Sequence, residues 1–168
     1  MDKLTARLAA RMCAFDQGEG ALIAHFMKVW AFASTIGRME NLDEATQFTL
    51  ESAAIVHDIA IRPLMAQYGR CPGPMQEQAG PPLARAVLEE LGYDERVIRR
   101  VCALVARHHT YENVDGADCQ ILLEADFLVN SLEGGMDRTA ITRFMHEHMK
   151  TASGRALLAA QFGLDPAD

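Results

Sequence analysis

Four side chains able to hold a cation stand in apolar surroundings, at positions 25, 57, 58 and 126. His25 lies in GALIAHFMKVWAF, His57 and Asp58 in AAIVHDIAI, and Asp126 in QILLEADFLVN. A buried carboxylate is costly unless something pairs with it. Imidazole and carboxylate together make an ordinary ligand set for a divalent transition metal. Each residue alone has a plainer explanation. A histidine in an apolar helix is usually a hydrogen-bonded core residue, Asp126 could pair with a buried arginine, and Asp58 could end a helix. One bound cation accounts for all four together.

The elements that must bring these residues to one point are helical, and no stretch alternates as a strand would. A first helix is expected over about residues 2 to 14, followed by the glycine-rich break DQGEG. Residues 20 to 39 form a long helix that is apolar on nearly every side, the pattern of a central, buried element. Asp43 caps the next helix, which runs to about His57. Two prolines and two glycines mark Arg62 to Pro74 as a loop. Helix returns over 76 to 91, with a start near Gly80 favoured by Pro81 and Pro82. Asp94 caps a helix over 95 to 109 whose apolar stripe ends in His108 and His109. Helices over 118 to 133, 137 to 149 and 152 to 161 complete the chain, and ALLAAQFGL is expected to close the bundle. The fold class is therefore all-α, a single-domain helical bundle across residues 1 to 168.

Composition bounds the function classes. The 168 residues are about half apolar and carry a net charge of -7, from 16 basic and 23 acidic side chains. That balance argues against a nucleic-acid groove on a basic face. No apolar run reaches the roughly 20 residues that a membrane helix needs. The N-terminal stretch is charged and amphipathic without a signal core, and the four cysteines form no C-x-x-C pair. A cytoplasmic location is the expectation.

The order of the four residues resembles that of the HD-domain superfamily of metal-dependent phosphohydrolases. There a histidine on a long helix precedes a His-Asp doublet at the end of the next helix, and a final aspartate stands on a later one. Here these are His25, His57-Asp58 and Asp126. The resemblance spans about residues 20 to 133, and implies an all-α fold with the N-terminal helix and the C-terminal helices packed on that core. Two departures refine it. Relatives that hydrolyse cyclic dinucleotides continue the doublet as H-D-x-G-K and carry a later Gly-Tyr-Pro signature. This chain continues Ile59-Ala60-Ile61 and has no such signature, so that subclass is not expected. Two-metal relatives place a histidine at the start of the following helix, where this chain has Gly80. A second ligand set is then incomplete unless Glu77 or the pair His108-His109 helps, and one metal (manganese, iron, cobalt, nickel or zinc) is expected rather than two.

The resemblance implies a metal-activated water attacking a phosphate ester, the substrate class being a small phosphate ester or nucleotide. His25, His57, Asp58 and Asp126 are then the metal ligands. Asp58, Glu77, His108 and His109 are the candidate catalytic groups, and Lys28, Arg62 and Arg107 the candidate phosphate contacts. Residues 62 to 80 are the expected lid or substrate wall. The same residues would also suit a metal- and nucleotide-binding sensor or partner-binding module without turnover. A third option, oxidative two-iron chemistry, is disfavoured by Gly80. His146 and His148 read as surface residues.

Overall fold

Some segments bury every side, and they set the architecture. In the computed structural model, which describes residues 3–165, the chain forms α1 (Lys3–Phe15), α2 (Gly20–Met39), α3 (Glu44–Val56), α4 (Ile61–Tyr68), α5 (Gly73–Leu91), α6 (Glu95–Val105), α7 (Ala117–Glu133), α8 (Arg138–His148) and α9 (Ala152–Phe162). Residues 49 to 56 of α3 and 121 to 129 of α7 are buried without interruption. No strand occurs among the described residues. The fold is all-α and forms one domain. Position 2, where the first helix was expected to begin, lies outside the described residues.

α2, α3 and α7 pack on one another at the centre, with α6 and α1 against α3. The sequence pointed to α2 as apolar and buried on nearly every side. In fact α2 buries one stripe, made of His25, Phe26, Val29, Trp30, Ala33, Ile36 and Gly37, and exposes Ala21, Ala24, Met27 and Ala31. An alanine costs little in water because it carries so little apolar area, so a run of alanines mimics burial in the sequence.

The expected loop from Arg62 to Pro74 is the main correction. Most of it is α4 and the beginning of α5, separated only by residues 69 to 72. The prolines start helices here rather than break them. Pro63 is the third residue of α4, Pro72 is the N-cap of α5 and Pro74 its second residue. All sit where an N–H would have no partner within the helix. The expected lid over 62 to 80 is therefore built largely from two helices.

Pro81 and Pro82 lie inside α5, which starts at Gly73 rather than near Gly80. Their missing N–H groups remove the ladder bonds to the carbonyls of Glu77 and Gln78. Tertiary packing holds the segment helical nonetheless: Gln76 and Gly80 are buried, and Cys102 Sγ donates to the Pro81 carbonyl at 3.4 Å. Gly80 lies where α5 crosses the end of α6. A Cβ added there would stand 2.6 Å from Val105 Cγ1. Substituting Gly80 by alanine is expected to cost about 1–3 kcal/mol by overpacking this crossing, read as a lower urea midpoint. An unchanged midpoint would contradict the crossing.

Candidate metal centre

α2, the end of α3 and α7 each bring donor atoms to one buried point. His25 Nε2 lies 3.3 Å from His57 Nε2, 3.2 Å from Asp126 Oδ1 and 3.4 Å from Asp58 Oδ2. His57 Nε2 lies 3.3 Å from Asp58 Oδ2 and 3.4 Å from Asp126 Oδ1. Neighbouring ligands around one ion with bonds of about 2.1 Å stand about 3.0–3.4 Å apart. The five distances all fall at that spacing or within it. His57 is fully buried, and His25 and Asp126 nearly so.

The doublet reaches this point because α3 ends there. Val56 is the last helical residue, and Ile59 and Ile61 then close tight turns onto the carbonyls of Val56 and Asp58. Within the turn, His57 Nδ1 lies 2.9 Å from the carbonyl of Ala54. A carbonyl only accepts, so Nδ1 carries the proton, and Nε2 turns a lone pair toward the centre. His108 repeats the device at the end of α6: its Nδ1 donates to the Val105 carbonyl at 2.7 Å. Each ring thus caps a helix carbonyl left without a helical partner and fixes its own tautomer. His25 does the same with a carboxylate, its Nδ1 lying 2.8 Å from Glu133 Oε2.

This donor set fits a cation. Two imidazole lone pairs facing each other at 3.3 Å repel unless a positive charge stands between them. Two other buried acids are satisfied by protein donors. Glu51 accepts from Trp30 Nε1, Gln47 Nε2 and Ser34 Oγ, and Glu124 from the backbone N–H groups of Lys150 and Thr151. At the centre, Asp126 has Asn130 Nδ2 at 2.8 Å and otherwise faces rings. Burial alone would lower the His57 pKa, but Asp58 and Asp126 outweigh it and raise it well above 6.5. Burial alone would raise Asp58 and Asp126, but the histidines outweigh it and hold both below 3.8. These shifts describe a cluster that takes up a positive charge, as protons or as a metal.

The expected site residues fall into three groups. His25, His57 and Asp58 offer ligand atoms within 4.8 Å of one another, and Asp126 reaches the same point beside the two histidines. Asp58 also faces a second set on its other oxygen: Oδ1 lies 3.3 Å from His108 Nε2, and Asp58, His108 and His109 offer ligand atoms within 4.8 Å of one another. The Nε2 atoms of His108 and His109 are buried without a hydrogen bond. Burial, and then the neighbouring His108, hold the His109 pKa below 6.5. Glu77 is beside this set, but its Oε1 accepts from the His109 N–H at 3.0 Å and the Thr110 hydroxyl at 2.9 Å.

The three basic residues are engaged elsewhere. The Arg62 guanidinium donates to the Phe15 carbonyl, Arg107 donates to the carbonyls of Glu112 and Asn113, and Lys28 pairs with Glu133. His146 is exposed, and His148 packs its ring 4.9 Å from those of Tyr111 and Phe144. Asn130 and Glu133 were not singled out from the sequence. Their signal was available: they follow Asp126 by four and seven residues, which puts all three on one face of α7.

A family model described as "HD domain" matches residues 22–159 of the chain. The match runs past residue 133 through α8 and into α9. No curated protein and no solved structure matches the chain.

The shifts dictate how the metal-free protein responds to pH. A raised His57 pKa contributes stability that is full below 6.5 and is lost as pH climbs through the raised value. Lowered Asp58 and Asp126 pKa values contribute stability present above 3.8 and lost as pH falls through the lowered values. Chelated protein should therefore lose thermal stability as pH climbs above 6.5, and metal-loaded protein much less. Superimposable melting curves with and without chelator at the higher pH, metal loss being confirmed, would refute a shared charge cluster.

Proposed function

The chain belongs to the HD-domain family, and on that premise we propose that it is a metal-dependent phosphohydrolase acting on a small phosphate ester, with nucleotides the substrate class to test first. One observation carries this reading: donors from α2, the end of α3 and α7 converge at 3.2–3.4 Å in a buried centre. His25, His57, Asp58 and Asp126 would hold one divalent transition metal. Such an ion supplies Lewis acidity toward water and a phosphoryl oxygen.

The chain's own groups do the rest. Asp58 presents one oxygen to His25 and His57 and the other to His108, so it orients a water between the two sets. His108 Nε2 carries a lone pair, because its Nδ1–H is committed to Val105, and it accepts the proton of the attacking water. His109, kept neutral by burial, is a second proton acceptor. Glu77 holds the His109–Thr110 turn that sets both rings. The reading leaves out the cyclic-dinucleotide subclass, because the doublet continues Ile59-Ala60-Ile61.

A second reading has its own observation. Arg62, Arg107 and Lys28 are tied to carbonyls or to Glu133. The nitrogens that make these bonds would have to leave their partners to meet a phosphate. This favours a domain that holds a metal and senses a ligand without turnover.

Phosphate release decides between the two readings. Protein reconstituted with manganese, iron, cobalt, nickel or zinc is assayed against nucleoside phosphates and a generic phosphomonoester. Hydrolysis is expected, with His108→Gln slower by about 10²-fold or more and Asp58→Asn inactive. Nucleotide-induced thermal stabilisation with no phosphate released from any substrate would establish the sensor instead.

A further inference from the structure

Glu133 is the last residue of α7, at the end of the helix where the dipole disfavours a negative charge. Something other than helix stability must therefore account for an acid there. Its two oxygens are divided between two partners on α2. Oε2 takes the Nδ1–H of His25 at 2.8 Å, and Oε1 pairs with the Lys28 ammonium, one turn along from His25. His25 is buried, whereas Lys28 is half-exposed, so the carboxylate joins the centre to the surface.

Resting on the phosphohydrolase reading, we propose that Glu133 is a positioning residue for the metal centre and that Lys28 is the clamp that holds it. Glu133 fixes the His25 ring with the proton on Nδ1, so that Nε2 faces His57 and Asp126, and its charge makes that nitrogen a stronger donor. His57 and His108 obtain the same tautomer from a backbone carbonyl of their own helix end. His25 lies in the interior of α2, where the carbonyls are already committed to the helix, so its acceptor has to come from another element. Lys28 pins the carboxylate, which would otherwise turn toward water. This gives Lys28 a role on the far side of His25 rather than a phosphate contact. A carboxylate or carbonyl behind a metal-bound histidine typically changes metal affinity by 10–100-fold.

The test is metal affinity, read by competition with a chromogenic chelator using manganese or zinc, on full-length wild type, Glu133→Ala and Glu133→Gln. The expected result is a 10–100-fold weaker affinity in Glu133→Ala and a smaller loss in Glu133→Gln, which keeps an acceptor but not the charge. Glu133→Gln also preserves side-chain volume, so it reports even if the alanine variant is poorly folded. In loaded wild type, long-range proton–nitrogen spectra should show the His25 proton on Nδ1. Both variants binding as tightly as wild type would overturn the positioning role and leave the metal centre standing. Wild type that binds neither metal would overturn both this inference and the reading it rests on.

Discussion

Two imidazole nitrogens with their lone pairs turned toward each other, beside two carboxylates in a largely buried centre, form an arrangement that proteins avoid unless a positive charge completes it. His25 and His57 stand in that relation at 3.3 Å, with Asp58 and Asp126 alongside. The other choices in the chain follow from it. α3 stops at Val56 so that His57 and Asp58 leave the helix together. α6 stops at Val105 so that His108 can meet the other oxygen of Asp58. α7 carries Asp126, Asn130 and Glu133 on one face because each serves the same point from a successive turn.

The two helix ends also show how one local motif does two jobs. A terminal carbonyl needs a donor, and a metal-facing histidine needs its other nitrogen occupied. The contact from Nδ1 to the carbonyl three residues back meets both needs at once, in His57 and in His108. No separate acceptor has to be buried beside either ring. His25, in mid-helix, lacks that option and is served by Glu133 from α7. At Gly80, the missing side chain lets Val105 close against α5.

Much of this was legible in the sequence. Apolar periodicity gave the helical class, and the four residues of the centre stood out because acids and imidazoles interrupted otherwise apolar runs. What failed had physical causes. Prolines at 63, 72 and 74 read as a loop because composition does not say whether a proline sits in a helix or at its start. Alanines made α2 look more buried than α7. Glu133 escaped notice because it ends a helix next to two glycines, where an acid looks like surface. Only its distance of seven residues from Asp126 marked it. The engagements of Arg62 and Arg107 depend on carbonyls of other segments, which no local pattern reports.

The central claim is that this core is built around a cation. Elemental analysis of purified wild type beside His57→Ala tests it most directly, since His57 sits inside the centre and contacts both aspartates. The account predicts about one equivalent of a transition metal in wild type and its loss in the variant. A wild type that carries no metal after reconstitution with manganese, iron, cobalt, nickel or zinc, or a variant that retains it in full, would contradict the account.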